Sequence, residues 1–293
     1  MRRPLHPNEL FPAGVARIAT TMVRLRTGVT VRVLEAGDPH GTPLVLLHGW
    51  GASAYMYRHA FRAPLPGFRL IAVDLRGFGL SDKPAGVDSY SLKEYQADVD
   101  ALLDELGLPS TALVGQSMGG GLALRYAMSR PDRISKLILI NPTCLVSIAG
   151  LRAVQLFSSE VLAGAGARPP RWLVSSILRF VAYGDPSLVT DADIDEYWSP
   201  TMLRGYVYAA AATLSRFEWG VVSDTEAASL EMPSLVLLGE RDRLIKNTID
   251  AAARLRGAHV ERVPGGHCAH EEHPDVVYPM IASFVRETAY EAD

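Results

Sequence analysis

Strand-like and helix-like stretches alternate along this 293-residue chain, a pattern that predicts an α/β fold with a mostly parallel sheet. Three observations carry and shape that prediction. Residues 44–47, 70–73, 112–114 and 137–140 are continuous apolar runs. They lack the alternation of a half-solvated strand and suit strands covered on both faces. The stretches between them carry helix start and stop signals. From 141 to 233 the alternation lapses, over several times the dozen or so residues that a helical crossover requires.

Residues 1–16, interrupted by Pro4, Pro7, Pro12 and Gly14, form an irregular lead-in. Segments 19–26 and 29–35, split by Thr27-Gly28, alternate with period two and predict an antiparallel hairpin at the sheet edge. After the strands at 44–47 and 70–73, a helix over 91–106 is opened by a Ser-x-x-Glu capping box (Ser91, Glu94) and stopped at Gly107. A second helix, over 119–129, follows the strand at 112–114. The long interval after 137–140 is rich in Ala, Leu, Trp and Tyr. It is broken at Gly164-Ala165-Gly166, Pro169-Pro170, Gly184-Asp185-Pro186 and Ser199-Pro200, and reads as an inserted, mainly helical cap. Strand and helix then resume with 234–238, a helix near 248–255, a short strand at 258–262 and a closing helix from Pro274. The expected organisation is an eight-stranded core over 17–141 and 231–293, a cap over 142–230 and the lead-in 1–16. No internal repeat is evident.

A formal net charge of −3 argues against a nucleic-acid partner, which would need a basic stripe against the phosphates. Two cysteines, Cys144 and Cys268, are too few for a disulfide scaffold, so free thiols are expected. The opening Met-Arg-Arg-Pro runs into His6-Pro7-Asn8-Glu9 without an apolar core, so no secretory or transit peptide is read there. No run approaches 18 apolar residues, so no membrane span is expected and the expected compartment is the cytoplasm.

Gly115-Gln116-Ser117-Met118-Gly119 fits Gly-x-Ser-x-Gly between an apolar strand and a helix. A sharp strand-to-helix turn exposes the hydroxyl and tolerates only small neighbours. The plainer reading, a glycine-rich turn whose serine caps the helix, loses ground in that context. A serine hydroxyl is a poor nucleophile until a base takes its proton, so a histidine is required further on. With this elbow the order is Ser, acid, His, the last two on loops at the carboxyl ends of late strands. Asp242 follows the run 234–238, and His267 follows the strand at 258–262. Glu240 is the competing acid but stands nearer the strand end; Asp250 reads as a solvated helix residue. A carboxylate at 242 would accept the Nδ1 proton, fix the tautomer and stabilise the imidazolium.

His267, His270 and His273 form His-x-x-His-x-x-His, which is not the His-Glu-x-x-His of a zinc enzyme. Neither metal nor cofactor is expected, and His270 and His273 read as loop and helix-entry residues before Pro274. Cys268 reads as inert filler. His48-Gly49-Trp50-Gly51 follows the strand at 44–47, where the chain can turn outward and set the Trp50 amide beside the Met118 amide as an oxyanion hole. The plainer reading is a glycine turn with a buried Trp50. His48 reads as a satisfied structural histidine.

Together these pieces resemble the α/β-hydrolase fold superfamily, in its cap-bearing, single-chain branch. The resemblance rests on His48-Gly49-Trp50, the run from Asp74 to Pro84 (DLRGFGLSDKP), the elbow, Gly239-Glu240-Arg241-Asp242, and Gly266-His267 followed by Glu271-Glu272-His273-Pro274. These pieces stand in the family's order along almost the whole chain. The resemblance implies Ser117 as nucleophile, His267 as base, Asp242 as acid, and the Trp50 and Met118 amides as oxyanion donors. Epoxide hydrolases and haloalkane dehalogenases are similar but place aspartate at the elbow. Two departures are Lys246, where relatives often have proline, and a Pro264-Gly265-Gly266-His267 loop one residue shorter than the common Pro-Gly-x-Gly-His.

The expected activity is therefore a serine carboxylester hydrolase acting on a small-molecule ester. Aromatic residues in the insertion, above all Trp172, Trp198 and Tyr206, are candidates for an apolar substrate site, and packing serves each equally well. Three alternatives stand beside it. One is a carbon–carbon hydrolase of ring-cleavage products, whose members commonly carry tryptophan where Cys268 stands. The others are a perhydrolase and a hydrolase-like ligand receptor.

Overall fold

The computed structural model describes residues 2–151, 155, 168–246 and 248–287. Eight strands among them form one sheet: β1 (Ala19–Arg24), β2 (Thr30–Gly37), β3 (Thr42–Leu47), β4 (Phe68–Val73), β5 (Thr111–Gln116), β6 (Ile134–Ile140), β7 (Ser234–Gly239) and β8 (Ala258–Val263). Their spatial order is β1-β2-β4-β3-β5-β6-β7-β8. β1–β2 and β2–β4 are antiparallel and every later pair is parallel. The hairpin turns at Gly28, whose φ of 85° a side chain would resist.

The apolar runs fail to alternate because both sheet faces are covered. Val45 and Leu47 of β3, Leu113 of β5, Leu137 and Leu139 of β6, and Val236 and Leu238 of β7 enter one buried layer. Their neighbours Leu44, Leu46, Ala112, Val114, Ile138, Ile140, Leu235 and Leu237 enter the other. The helices that supply those layers are α1 (Arg58–Arg62), α2 (Leu92–Glu105), α3 (Met118–Ser129), α4 (Arg171–Ile177), α5 (Asp191–Trp198), α6 (Tyr206–Arg216), α7 (Asp224–Ala228), α8 (Ile249–Ala253), α9 (Ala269–Glu272) and α10 (Pro274–Arg286). None is long and apolar enough to cross a membrane.

One expectation fails in detail. Ser91 is the N-cap of α2 but makes no side-chain capping bond. The buried Arg76 guanidinium draws the Glu94 carboxylate away at 3.0 Å, so the capping box does not close. The one-turn α9 also goes unread in the sequence, where only the closing helix was expected.

Between β6 and β7 the described residues form helices joined by loops, with a π-helical turn at Leu178–Ala182 after α4; Gly164-Ala165-Gly166 lies outside the described residues. This β6–β7 segment, the expected insertion, meets the rest of the chain through a buried polar cluster. Arg58 pairs with Glu271 of α9 and, at 2.8 Å, with Asp193 of α5. Tyr55 donates to Asp193 at 2.7 Å, while Tyr183 and Tyr197 donate to Glu271 at 3.1 and 2.6 Å. The lead-in is irregular, as expected, yet fastened. Arg2 reaches Asp195 at 2.9 Å, the Leu5 amide reaches Ser199 Oγ at 2.8 Å, and the Phe11 amide reaches Glu196 at 2.8 Å. Arg32 Nη1 in turn holds the Phe11 carbonyl at 2.8 Å.

Candidate active site

From β3 the chain crosses to β4 on one side and later to β5 on the other, so strand order reverses between β3 and β5. Such a switch point opens a crevice beyond the carboxyl ends of the strands. Ser117 and the His48–Gly51 loop both stand at that edge. Ser117 has φ 52° and ψ −116°, a strained conformation for a residue with a side chain. Backbone bonds hold it: its amide donates to Ile140 O at 3.0 Å, and its carbonyl accepts from Gly121 N at 2.9 Å and Thr143 N at 3.0 Å. A Cβ on Gly119 would collide with the carbonyls of Leu47 and His48, and one on Gly49 would meet Ser117 Cβ at 3.2 Å. Glycines at these two positions thus let α3, the elbow and the β3 loop pack in direct contact.

Asp242 lies beyond β7 and His267 beyond β8. His267 Nδ1 and Asp242 Oδ2 are 2.8 Å apart, with both side chains buried. The other Asp242 oxygen accepts from the amides of Leu244 (2.8 Å) and Ile245 (3.0 Å), so the carboxylate is fixed at both ends. Glu240 is exposed and its backbone pairs with Val263. The carboxylate on the imidazole is therefore that of Asp242. With Nδ1 donating to it, Nε2 carries the lone pair of the neutral ring. The short Pro264–His267 loop still delivers this contact. Gly265, at φ 102°, turns its carbonyl onto the Arg241 amide at 2.8 Å.

Two further residues hold the histidine loop, and the sequence reading missed both. Gln116 donates from Nε2 to the His267 carbonyl at 2.8 Å. Asn141, at φ 42°, donates to the carbonyls of Gly266 (3.0 Å) and His267 (3.1 Å) and accepts from the Gly239 amide at 2.8 Å. A signal existed. Each is an amide side chain at the buried carboxyl end of an apolar strand, where it must find partners.

Met118 opens α3, so its amide has no acceptor within the helix. The Trp50 ring is not buried: it is 41% exposed, and its Nε1 donates to Ala210 O of α6 at 3.0 Å. Tyr206 reaches the same loop, donating to Gly51 O at 3.0 Å with its ring edge-on to Phe78. Trp172 is 68% exposed on α4, and Trp198 donates to Pro169 O at 3.0 Å; neither takes part in the hydrogen bonds described around Ser117 and His267. Of the three aromatic candidates, only Tyr206 is brought to the crevice loop.

His48 is buried, with Nδ1 2.7 Å from Gly49 O and Nε2 accepting from the Leu75 amide at 3.0 Å. Burial holds its pKa below the ordinary imidazole value, as befits a structural ring. Burial alone would push Asp74 up, but Arg32 at 2.7 Å and the Ala54 amide outweigh it and keep that carboxyl below its usual range. His270 is pushed down to about 3 by burial, and burial raises the Cys268 thiol well above its ordinary value. Among the described residues no group of three His, Cys, Asp or Glu side chains could hold a metal ion.

Comparison with known proteins bears on the fold and the family. The sequence is 29% identical over 287 residues to epoxide hydrolase 4 of Mus musculus, covering 90% of this chain and 79% of that one. It is 26% identical over 290 residues to the 2-hydroxy-6-oxononadienedioate/2-hydroxy-6-oxononatrienedioate hydrolase of Comamonas testosteroni, covering 95% and 99%. The fold superposes on the meta-cleavage product hydrolase of Pseudomonas fluorescens IP01 with a TM-score of 0.77 at 23% identity, covering 92% of this chain and 98% of that one. A family model, described as the alpha/beta hydrolase fold, matches residues 42–274, and the chain belongs to that family.

Proposed function

We propose that the protein is a serine hydrolase cleaving carboxylic esters of small to medium apolar substrates. The observation that carries the reading is the 2.8 Å His267–Asp242 bond at the crevice edge where the strained turn presents Ser117. Ser117 Oγ attacks the ester carbonyl as His267 Nε2 takes its proton. The Trp50 and Met118 amides receive the developing oxyanion, and each such donor lowers the barrier by roughly 3 kcal/mol. The imidazolium, steadied by Asp242, protonates the departing alcohol. Water, deprotonated by the same ring, then releases the acid. The scheme requires no metal or cofactor. The insertion over 142–230 serves as the cap, with Tyr206 on its active-site side.

Serine at the elbow separates this reading from epoxide opening. A carboxylate that opens an epoxide forms an ester that water can cleave, whereas a serine hydroxyl would form a stable ether. A second reading, carbon–carbon hydrolysis of a ring-cleavage product, draws on the Comamonas relative matched over 95% of the chain. It uses the same three side chains.

A fluorophosphonate probe and p-nitrophenyl butyrate test the proposal. Ser117 is expected to be labelled and an acyl-enzyme burst observed, and Ser117→Ala is expected to abolish both. Labelling elsewhere, or turnover surviving Ser117→Ala, would overturn the assignment. Turnover of dienones but not esters would select the second reading. Labelling without turnover of any ester or dienone would identify a ligand receptor.

A further inference from the structure

The amides of Gly266 and Cys268, the residues on either side of His267, are tied to the insertion, and a single buried carboxylate makes most of the tie. Glu272 Oε1 accepts from the Gly266 amide at 2.6 Å, immediately before the histidine. Its Oε2 accepts from the amides of Gly184 (2.9 Å) and Asp185 (3.0 Å), just past the π-helical turn of the insertion. On the other side of the histidine, the Cys268 amide donates to Ala182 O at 3.1 Å. The backbones approach so closely that a Cβ on Gly184 would meet the Gly266 nitrogen at 2.8 Å. The histidine's own carbonyl, by contrast, is held from the core by Gln116 and Asn141.

We propose that Glu272 is a positioning residue for His267, setting the pose of the imidazole according to where insertion residues 182–185 sit. The proposal rests on His267 being the base. Three backbone donors converge on two oxygens, an arrangement only a carboxylate satisfies, since glutamine has acceptor capacity on one oxygen alone. Glu272→Gln therefore loses either the Gly266 bond or both insertion bonds. In the first case the histidine loop is freed directly. In the second the loop loses the insertion as its reference. Either way the imidazole swings against Asp242, and misplacement of a reacting group by about 1 Å costs on the order of a hundredfold in rate.

The neighbouring carboxylate provides the control. Glu271 bonds Arg58, Tyr183 and Tyr197, and its carboxylate makes none of the three bonds to the loop backbone. In the full chain, Glu272→Gln is expected to slow fluorophosphonate labelling of Ser117 by roughly 10- to 100-fold and to lower kcat with KM within about twofold. At equal folded fraction, Glu271→Gln keeps all three Glu272 bonds and is expected to slow labelling less than Glu272→Gln does. The proton on His267 Nδ1, which resonates far downfield while a carboxylate holds it, is expected in the wild type and in Glu271→Gln. It is expected to be broadened or lost in Glu272→Gln. Should Glu272→Gln not fold, Glu272→Asp carries the comparison, because it keeps the charge but withdraws it by one methylene. Wild-type labelling and an unchanged proton resonance in a folded Glu272 variant would overturn the proposal. A wild type unlabelled at Ser117 whose His267 resonance responds to Glu272 would instead overturn the esterase reading and leave the positioning role standing.

Discussion

The parallel strands β3, β5, β6 and β7 meet one another through backbone ladders and through aliphatic side chains on both faces. The insertion adds aliphatic and aromatic contacts of its own, but on the β8 side it meets the core through Arg58, Asp193, Glu271, Glu272 and three tyrosine hydroxyls. The two kinds of attachment behave differently. Apolar burial is non-directional and tolerates small adjustments, so it builds a dependable platform. Buried charges demand particular partners at particular distances, and removing one strands the others. The insertion is thus held in a defined place, and the candidate catalytic groups lie where it meets the platform.

The sharpest way to probe that boundary is at the candidate acid. Asp242→Asn keeps the shape of the site but removes the carboxylate that selects the imidazole tautomer. kcat for p-nitrophenyl butyrate is expected to fall by about 10⁴-fold with little change in Tm. A fall below tenfold would remove Asp242 from the mechanism.

Next in size are two core variants that separate the attachments. Arg58→Met leaves Glu271 and Asp193 buried without their cation and is expected to cost about 3–5 kcal/mol in urea unfolding. Leu139→Ala, in the sheet, is expected to cost about 2–5 kcal/mol through its cavity. Limited proteolysis tells them apart: Arg58→Met is expected to be cut first within the insertion, Leu139→Ala only on global unfolding. Identical digestion patterns would mean that the two attachments fail together.

A pH series gives a smaller effect. Burial raises the Glu196 carboxyl from its ordinary 4.5 to about 7, so the folded chain keeps a proton that the unfolded chain has released between those values. Stability therefore declines as pH rises from about 4.5 through 7. The Tm of Glu196→Gln relative to wild type is expected to climb by several degrees between pH 5 and pH 8. A constant difference would mean the site is wetter than its packing indicates. The smallest change is expected at the solvent-facing Trp172. Trp172→Ala is expected to move stability by less than about 0.5 kcal/mol, and a KM change for apolar esters would return that ring to the substrate site.

Much of the platform was legible in the chain, because continuous apolar runs follow directly from a sheet covered on both faces. The pairing of His267 with Asp242 was legible too, since both had to follow late strands. What escaped is non-local polar geometry. Glu94 was read locally as a cap partner, but it answers to Arg76, eighteen residues away. Gln116 and Asn141 act on a loop more than 120 residues further on. Trp172 and Trp198 show the converse: aromatic density marked the insertion but could not say which rings face the crevice.

The fastened lead-in has a consequence for the order in which the molecule can be assembled. Arg2, Leu5 and Phe11 find their partners 193, 194 and 185 residues later, on α5 and the turn after it. Closing loops of that length adds little to the equilibrium entropy cost but must wait for the distal residues to exist. On the ribosome, β1 to β6 emerge from the amino end first and Ser199 long afterwards. The lead-in, made well before its partners, is among the last segments to be secured, and its closing brings together two stretches that were synthesised far apart in time.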